Sequence, residues 1–292
     1  MIEVRGPGTV RLDYGPTQMV IQAEGPGLAE GLAGDAARYA MKLIGELAAV
    51  KKAAASPQHA IGDTGAFPEV LRRMVTAVRA SGDADLTPMA AVAGTVADLT
   101  AEYLQDHGAT KVIVNNGGDI ALRLAEGYSV EVGIAPAIDA PPTHVLTVKA
   151  GDDIGGVTTS GLGGRSFTKG IATAAVVAAK TAALADACAT SIGNATFAAH
   201  PAIKLVRAEA LDPLTDIAGH LVVREVGPLP PEVIQAALLG GWRRADECHR
   251  LGLICGAALF IGNFGVMIPE GFAAPVCNIQ IKEGLQWKFV KS

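Results

Sequence analysis

The 292-residue chain is half hydrophobic but only 4% aromatic, so its interior must be built mainly from Ala, Val, Ile and Leu, in one large domain or two intimately packed subdomains. Its net charge of −5, with no basic tail and no arginine cluster interleaved with aromatics, argues against a nucleic-acid backbone as partner. Cys188, Cys248, Cys255 and Cys277 form no CxxC pair, which points to reduced thiols in a cytoplasmic protein rather than a disulfide scaffold.

In chain order, residues 4 to 23 predict a hairpin turning at Asp13-Tyr14-Gly15-Pro16. The first sixteen residues hold an acid and an arginine near the start and no apolar run, unlike a signal peptide. Helical spacing then runs from Gly27 to about Ala55, with Leu43, Leu47 and Val50 on one face. A second helix is expected from Glu69 to Ala80 behind Pro68, with Val70, Met74 and Val78 every fourth residue. A third, long helix should start at Pro88 and close at Gly108, a suitable C-cap.

Strands follow at 112–114, 120–124, 128–134 and 145–150, with a compact turn from Asn115 to Asp119. Residues 171 to 183 are ambiguous: alanines favour helix, whereas Thr173, Val176 and Val177 favour a strand. Leu184 to Ala195 reads as a helix with Asp186 near its first turn. A short helical piece near Arg207, a strand at 221–225 and a helix at 231–239 come next. The run Leu251 to Ile261 is too short to span a bilayer and reads as a buried strand or helix, and Gln286 to Val290 as a strand. The pairs Lys51-Lys52, Arg72-Arg73 and Arg243-Arg244 read as solvated helix faces. The alternation favours an α+β fold of mixed or antiparallel sheets packed with Ala-rich helices.

The stretch from Gly155 to Ala198 concentrates the groups that could meet a ligand. Gly155, Gly156, Gly161, Gly163, Gly164 and Gly170 permit unusual φ or close approach, and Asp186, Thr190, Ser191 and Asn194 follow at helical spacing. A plain Ala/Gly packing layer is the competing reading. No GxGxxG, GxxxxGK[ST] or HExxH is present, and Ser160 lies in no GxSxG elbow. Cys188 lacks an evident base and reads as a small buried hydrophobe.

Three segments in order resemble the ApbE-like superfamily, whose flavin transferases attach FMN to protein threonines. They are VNNGGDIALRLAEGYSVEVGIAP at 114–136, TTSG at 158–161 followed by Arg165, and ALADACATSIG at 183–193. The N-terminal VRGPGTVRLDYGPTQMVIQA is similar to its UPF0280-type branch. The resemblance implies a divalent metal, normally Mg²⁺, at Asp186 and Thr190. It also implies FAD or FMN, or another phosphorylated small ligand, near Asn116, Gly117, Gly118, Asp119, Thr159, Ser160, Gly161 and Arg165. Residues i and i+4 share a helix face, and carboxylate and hydroxyl oxygens suit Mg²⁺.

This sequence departs from that pattern twice. Ala93 stands where a lysine is expected, and SFTKGIAT replaces the histidine-isoleucine-aspartate-proline block after Arg165. The alternative is therefore a non-catalytic homo-oligomer or partner-binding protein on the same scaffold. Neither nucleic acid nor membrane is an expected partner.

Overall fold

A computed structural model describes residues 1–276 and the backbone of residues 286–287. The elements are β1 (Ile2–Gly6), β2 (Thr9–Tyr14), β3 (Thr17–Glu24), α1 (Leu32–Ala49), α2 (Lys51–Ala54), α3 (Glu69–Ser81), α4 (Val92–Asp106), β4 (Lys111–Asn116), β5 (Asp119–Leu124), β6 (Ser129–Ile134), β7 (His144–Lys149) and β8 (Gly156–Ser160). They continue with β9 (Ala174–Ala179), α5 (Ala182–Asn194), β10 (Ile203–Arg207), α6 (Ala208–Leu211), β11 (Leu221–Val226), α7 (Pro231–Arg250), β12 (Gly256–Ile261), β13 (Phe264–Ile268), β14 (Ala274–Pro275) and β15 (Gln286–Trp287). The class is α+β, and the chain divides into two compact units.

Unit 1 comprises Met1–Val130, Val148–Thr158 and Ala178–Ala187. In it β1 to β5 form an antiparallel meander, and β8 joins β5 with Ala121 opposite Gly156. Period-two alternation sets the faces. In β3, Thr17, Met19, Ile21 and Ala23 are buried, whereas Gln18, Val20, Gln22 and Glu24 are exposed. Register carries the buried row onward, with Ile21 opposite Val114 and Val114 opposite Ala121. Helices α1 and α4 cover this apolar face. Their contact residues are small: Ala36, Ala37 and Ala40 of α1, and Ala97 and Ala101 of α4, are wholly buried. A core poor in aromatics is closed in this way by bringing backbones together. Val70, Met74 and Val78 of α3 complete the same core.

The long helix begins differently from expectation. Pro88–Ala91 is a 3₁₀ turn, and α-helix starts only at Val92. Its end matches: Gly108 takes φ 92°, and the next amide, of Ala109, bonds to the Leu104 carbonyl at 3.0 Å.

Unit 2 comprises Glu131–Thr147, Thr159–Val177 and the described residues from Cys188 onward. Strands β12 and β13 form a hairpin with Leu259 opposite Val266, and α7 lies on it. A second hairpin joins β10 and β11, and β7 pairs with β14 and β6. The ambiguous stretch at 171–183 resolves as β9, all six of whose residues are buried. A strand with both faces covered reads as a continuous apolar run, which hides its period. Residues 251–261 likewise end in a wholly buried strand, β12. Of the strand expected at 286–290, Gln286–Trp287 is a strand, paired parallel to β13; Lys288 to Val290, like Cys277, lie outside the described residues. Among the described residues, no helix is long and apolar enough to cross a membrane.

Helix α7 is longer than its sequence suggests. It runs through Gly240 and Gly241 to Arg250 instead of stopping at Leu239. Both glycines serve proximity: a Cβ on Gly240 would lie 2.5 Å from the Ala195 carbonyl oxygen, and one on Gly241 2.5 Å from Leu259 Cδ2. By contrast, a Cβ on Gly45 of α1 would meet nothing within 4 Å. Gly240→Ala should therefore lower the unfolding free energy by about 1–3 kcal/mol through overpacking. Gly45→Ala should raise it by roughly 0.5–1 kcal/mol through helix propensity. Denaturant midpoints of the two variants measure this opposite response.

Candidate functional site

The start of α4 meets the start of α5 because position 94 has no side chain. A Cβ on Gly94 would lie 2.2 Å from the Ala182 carbonyl oxygen and 2.9 Å from Asp186 Cβ. At this separation each helix lends a carboxylate to the other's unsatisfied N-terminal amides. Asp98 of α4 accepts the Ala183 N–H at 2.8 Å. Asp186 of α5 accepts the Gly94 N–H at 3.0 Å. The neighbouring amides of Ala182 and Ala93 add to the two carboxylates in turn. The sequence reading put Asp186 at the first turn of its own helix; it serves α4 instead.

Asp98 is buried, and burial pushes its carboxyl above the usual range, opposed by the Arg123 guanidinium and the α5 amides. Arg123 Nη2 reaches Asp98 Oδ1 at 3.0 Å and Glu102 Oε1 at 3.1 Å.

The turn between β4 and β5 adds to this cluster. Gly117 at φ 69° and Gly118 at φ 110° make the tight hairpin turn, and Asn116 pairs with Asp119 across it. Asn116 is buried and donates from Nδ2 to the Ala93 carbonyl at 3.2 Å, while its Oδ1 has no hydrogen-bond partner. Thr95 Oγ1 and Thr158 Oγ1 are also buried without partners. Asp186 retains some accessible surface, yet protein atoms crowd its carboxyl. Its pKa is raised well above the carboxylate range, first by desolvation and then by the Asp119 carboxylate. Unit 1 thus brings Asn116, Asp119 and Asp186 together. Carboxylate and amide oxygens are hard donors, the chemistry that Mg²⁺ takes. Among the described residues, no three His, Cys, Asp or Glu side chains are grouped to share a metal.

Unit 2 holds the other expected residues. Thr159 is exposed; Ser160 and Gly161 are partly buried, Arg165 is exposed, and Thr190 is partly buried on α5. Gly161, Gly163 and Gly164 line a cavity of about 660 Å³. Its floor includes Ile171, Val223 and Phe264, and Ser166 and Asn263 contribute polar groups. The sequence reading missed the contributions of β11, α7 and the β12–β13 hairpin, which are distant in the chain. The Val223 amide bonds to the Thr168 carbonyl at 2.9 Å, tying β11 to the glycine loop.

Most of the glycines in this stretch are packing devices. Cβ atoms on Gly155, Gly156 and Gly170 would lie 2.2, 2.2 and 1.9 Å from Lys180 O, Ala182 Cα and Gly193 O. One on Gly161 would lie 2.7 Å from Thr173 O. Gly163, Gly164 and Gly193 are without such a backbone collision under 3 Å. Two polar groups of α5 are also occupied structurally: Ser191 accepts from Arg244 Nε at 2.9 Å, and Asn194 accepts the Lys169 amide at 2.9 Å. Arg244 therefore does not belong to a solvated face, contrary to its reading from sequence. Cys188 is fully buried, and hydrogen bonding to Cys248, then burial, push its thiol far above the ordinary range.

The protein-family profile described as AbpE bacteria matches residues 3–269. A UPF0280 protein of Methanococcoides burtonii is 36% identical over 158 residues, 54% of this chain and 64% of that one. A UPF0280 protein of Methanosarcina acetivorans is 39% identical over 184 residues, 63% of this chain and 66% of that one. The chain thus spans slightly less than two thirds of these relatives' length. The apo crystal structure of Pseudomonas stutzeri flavinyl transferase ApbE has a TM-score of 0.45 at 14% identity, covering 66% of this chain and 85% of that one.

Asp98→Ala leaves Arg123 only Glu102 as a carboxylate partner and deprives an α5 amide of its acceptor, and should cost about 1–3 kcal/mol of stability by denaturant unfolding. Alkylation of the native protein followed by peptide mapping should leave Cys188 and Cys248 unmodified, with both labelled after denaturation. Labelling of native Cys188 would restore a reactive-thiol role.

Proposed function

The chain belongs to the ApbE-like superfamily, in its UPF0280-type branch, and from that premise we propose that it binds a flavin-like or other phosphorylated small ligand together with a divalent cation. The observation that carries this reading is the oxygen cluster of unit 1. Asp119 raises the proton affinity of Asp186, and the Asn116 Oδ1 nearby in the hairpin turn is buried and unpartnered. Asp186 and Thr190, four residues apart on α5, would hold the cation. Bound Mg²⁺ would offset the negative charge of the carboxylates and of a phosphate.

For the organic ligand, the support is the loop beginning at Gly161. Its cavity of about 660 Å³ falls within the range of roughly 300–1,000 Å³ common for small-molecule sites. An apolar floor with polar groups suits a planar ring carrying heteroatoms. Thr159, Ser160 and Arg165 flank that loop in sequence. Neighbouring free thiols, Cys188 and Cys248, accord with a cytoplasmic setting.

Flavin transfer is not part of the proposal. Transfer needs a group to bind diphosphate and another to take the hydroxyl proton. At the expected lysine position, Ala93 offers only its backbone, whose carbonyl accepts from Asn116 and whose amide serves Asp186. The same departure favours a non-catalytic binding role as the second reading.

Calorimetric titration with FAD and FMN, with and without MgCl₂, tests the proposal. Saturable binding tightened by Mg²⁺ is expected. Asp186→Asn keeps an oxygen able to accept the Gly94 N–H, so it should remain folded and lose the Mg²⁺ effect. Absence of binding by both flavins in Mg²⁺ would refute the flavin reading. An unchanged Mg²⁺ effect in Asp186→Asn would remove the metal role.

A further inference from the structure

We propose that the bare face of the unit 1 sheet carries a second, separate site for a small phosphorylated anion, formed by Arg5, Arg11, Gln18 and the outer side of the Gly117-Gly118 turn. The groove there has a volume of about 480 Å³, with Val20 in its lining. Strand register separates it from the cluster described above. Met19, opposite Asn116, is buried against the helices, whereas Val20, opposite Asn115, belongs to the exposed row. Arg11 lies opposite Val20, and Gln18 is two residues along β3 on the same face. Arg11, Gln18, Val20 and Asn115 therefore line the groove from the sheet face opposite Asn116 and Asp119, and Met19 completes its lining.

The donors here are cationic or amide groups. Arg5 forms an exposed pair with Glu3 at 2.9 Å. Glu3 also stands opposite Arg11 across β1 and β2, yet among the described residues Arg11 makes no ion pair within 4 Å. Asp13 stands opposite Gln18 on the same face, so the attraction for an anion comes from the Arg11 guanidinium, which no described carboxylate contacts, and not from an excess of positive charge. Asn115 Oδ1 accepts the Gly118 N–H at 2.9 Å and holds the turn against the groove's edge. Guanidinium forks favour the paired oxygens of phosphate. The space exceeds a single phosphate, so a phosphorylated small molecule or diphosphate is the matching class.

The probe is inorganic pyrophosphate, titrated by calorimetry at low ionic strength without divalent cation, with amide NMR shifts followed in parallel. Saturable binding should perturb Gly117 and Gly118, and the doubly substituted Arg5→Gln/Arg11→Gln protein should bind about tenfold or more weakly. Asp186→Asn should bind pyrophosphate as the parent does. Both arginines are exposed, so the double variant should retain the parent circular dichroism and unfolding midpoint. No saturable binding by the parent, or equal binding by the double variant, would overturn the site. None of these outcomes depends on whether a flavin binds.

Discussion

The chemistry-bearing part of unit 1 depends on an exchange of carboxylates between two helix starts. Asp98 leaves α4 to bind the first amides of α5, and Asp186 leaves α5 to bind the first amides of α4. Each helix end presents unsatisfied N–H groups and partial positive charge, so a carboxylate is favoured there. Two buried acids so close also repel one another, and Asp98 contributes to the raised pKa of Asp186. Arg123 offsets this on the Asp98 side. The exchange is possible only because Gly94 lets the backbones nearly touch.

That constraint determines what Asp186 can do. One of its oxygens is already bound to a main-chain amide, so the carboxylate is oriented by folding before any ligand arrives. Asp119 reaches the same region from a hairpin turn whose geometry is itself fixed by two glycines. Asn116 is held by the carbonyl of Ala93, next to the glycine that permits the helix approach. The oxygen cluster is therefore a by-product of helix packing as much as a site. An acid that caps a neighbouring helix would thereby also be pre-oriented for the cation proposed above.

The sequence reading located α1, α3, α4 and the β2–β3 hairpin well because their signals are local: apolar spacing, a leading proline, a trailing glycine. It could not say what each glycine was for. Freedom of φ and absence of a Cβ leave the same letter. Gly117 and Gly118 use the first property, while Gly94, Gly155, Gly156, Gly170 and Gly240 use the second. The helix expected at 231–239 continues through Gly240 and Gly241, whose missing Cβ atoms let α7 pack closely. The partner of Asp186 was equally hidden, since Gly94 is distant in the chain and only the folded backbone brings it near. Lining from β11, α7 and the β12–β13 hairpin was illegible on the same ground.

Residues 115 to 119 show how much can turn on strand parity. Successive residues of a strand face opposite ways, so Asn115 and Asn116, chemically identical neighbours, enter different environments. Asn116 is buried with an unpaired oxygen on the helix side, whereas Asn115 bonds to the turn on the bare side. A shift of register by one residue would exchange them, placing Asn115 against Ala93 and withdrawing Asp119 from Asp186. The buried row of Met19, Ile21 and Ala23 opposes such a shift, because it would expose every one of those side chains. Hydrophobic burial along β3 therefore fixes which polar groups reach the helix side. The positions of the candidate ligands in this turn are set by apolar residues that touch no ligand.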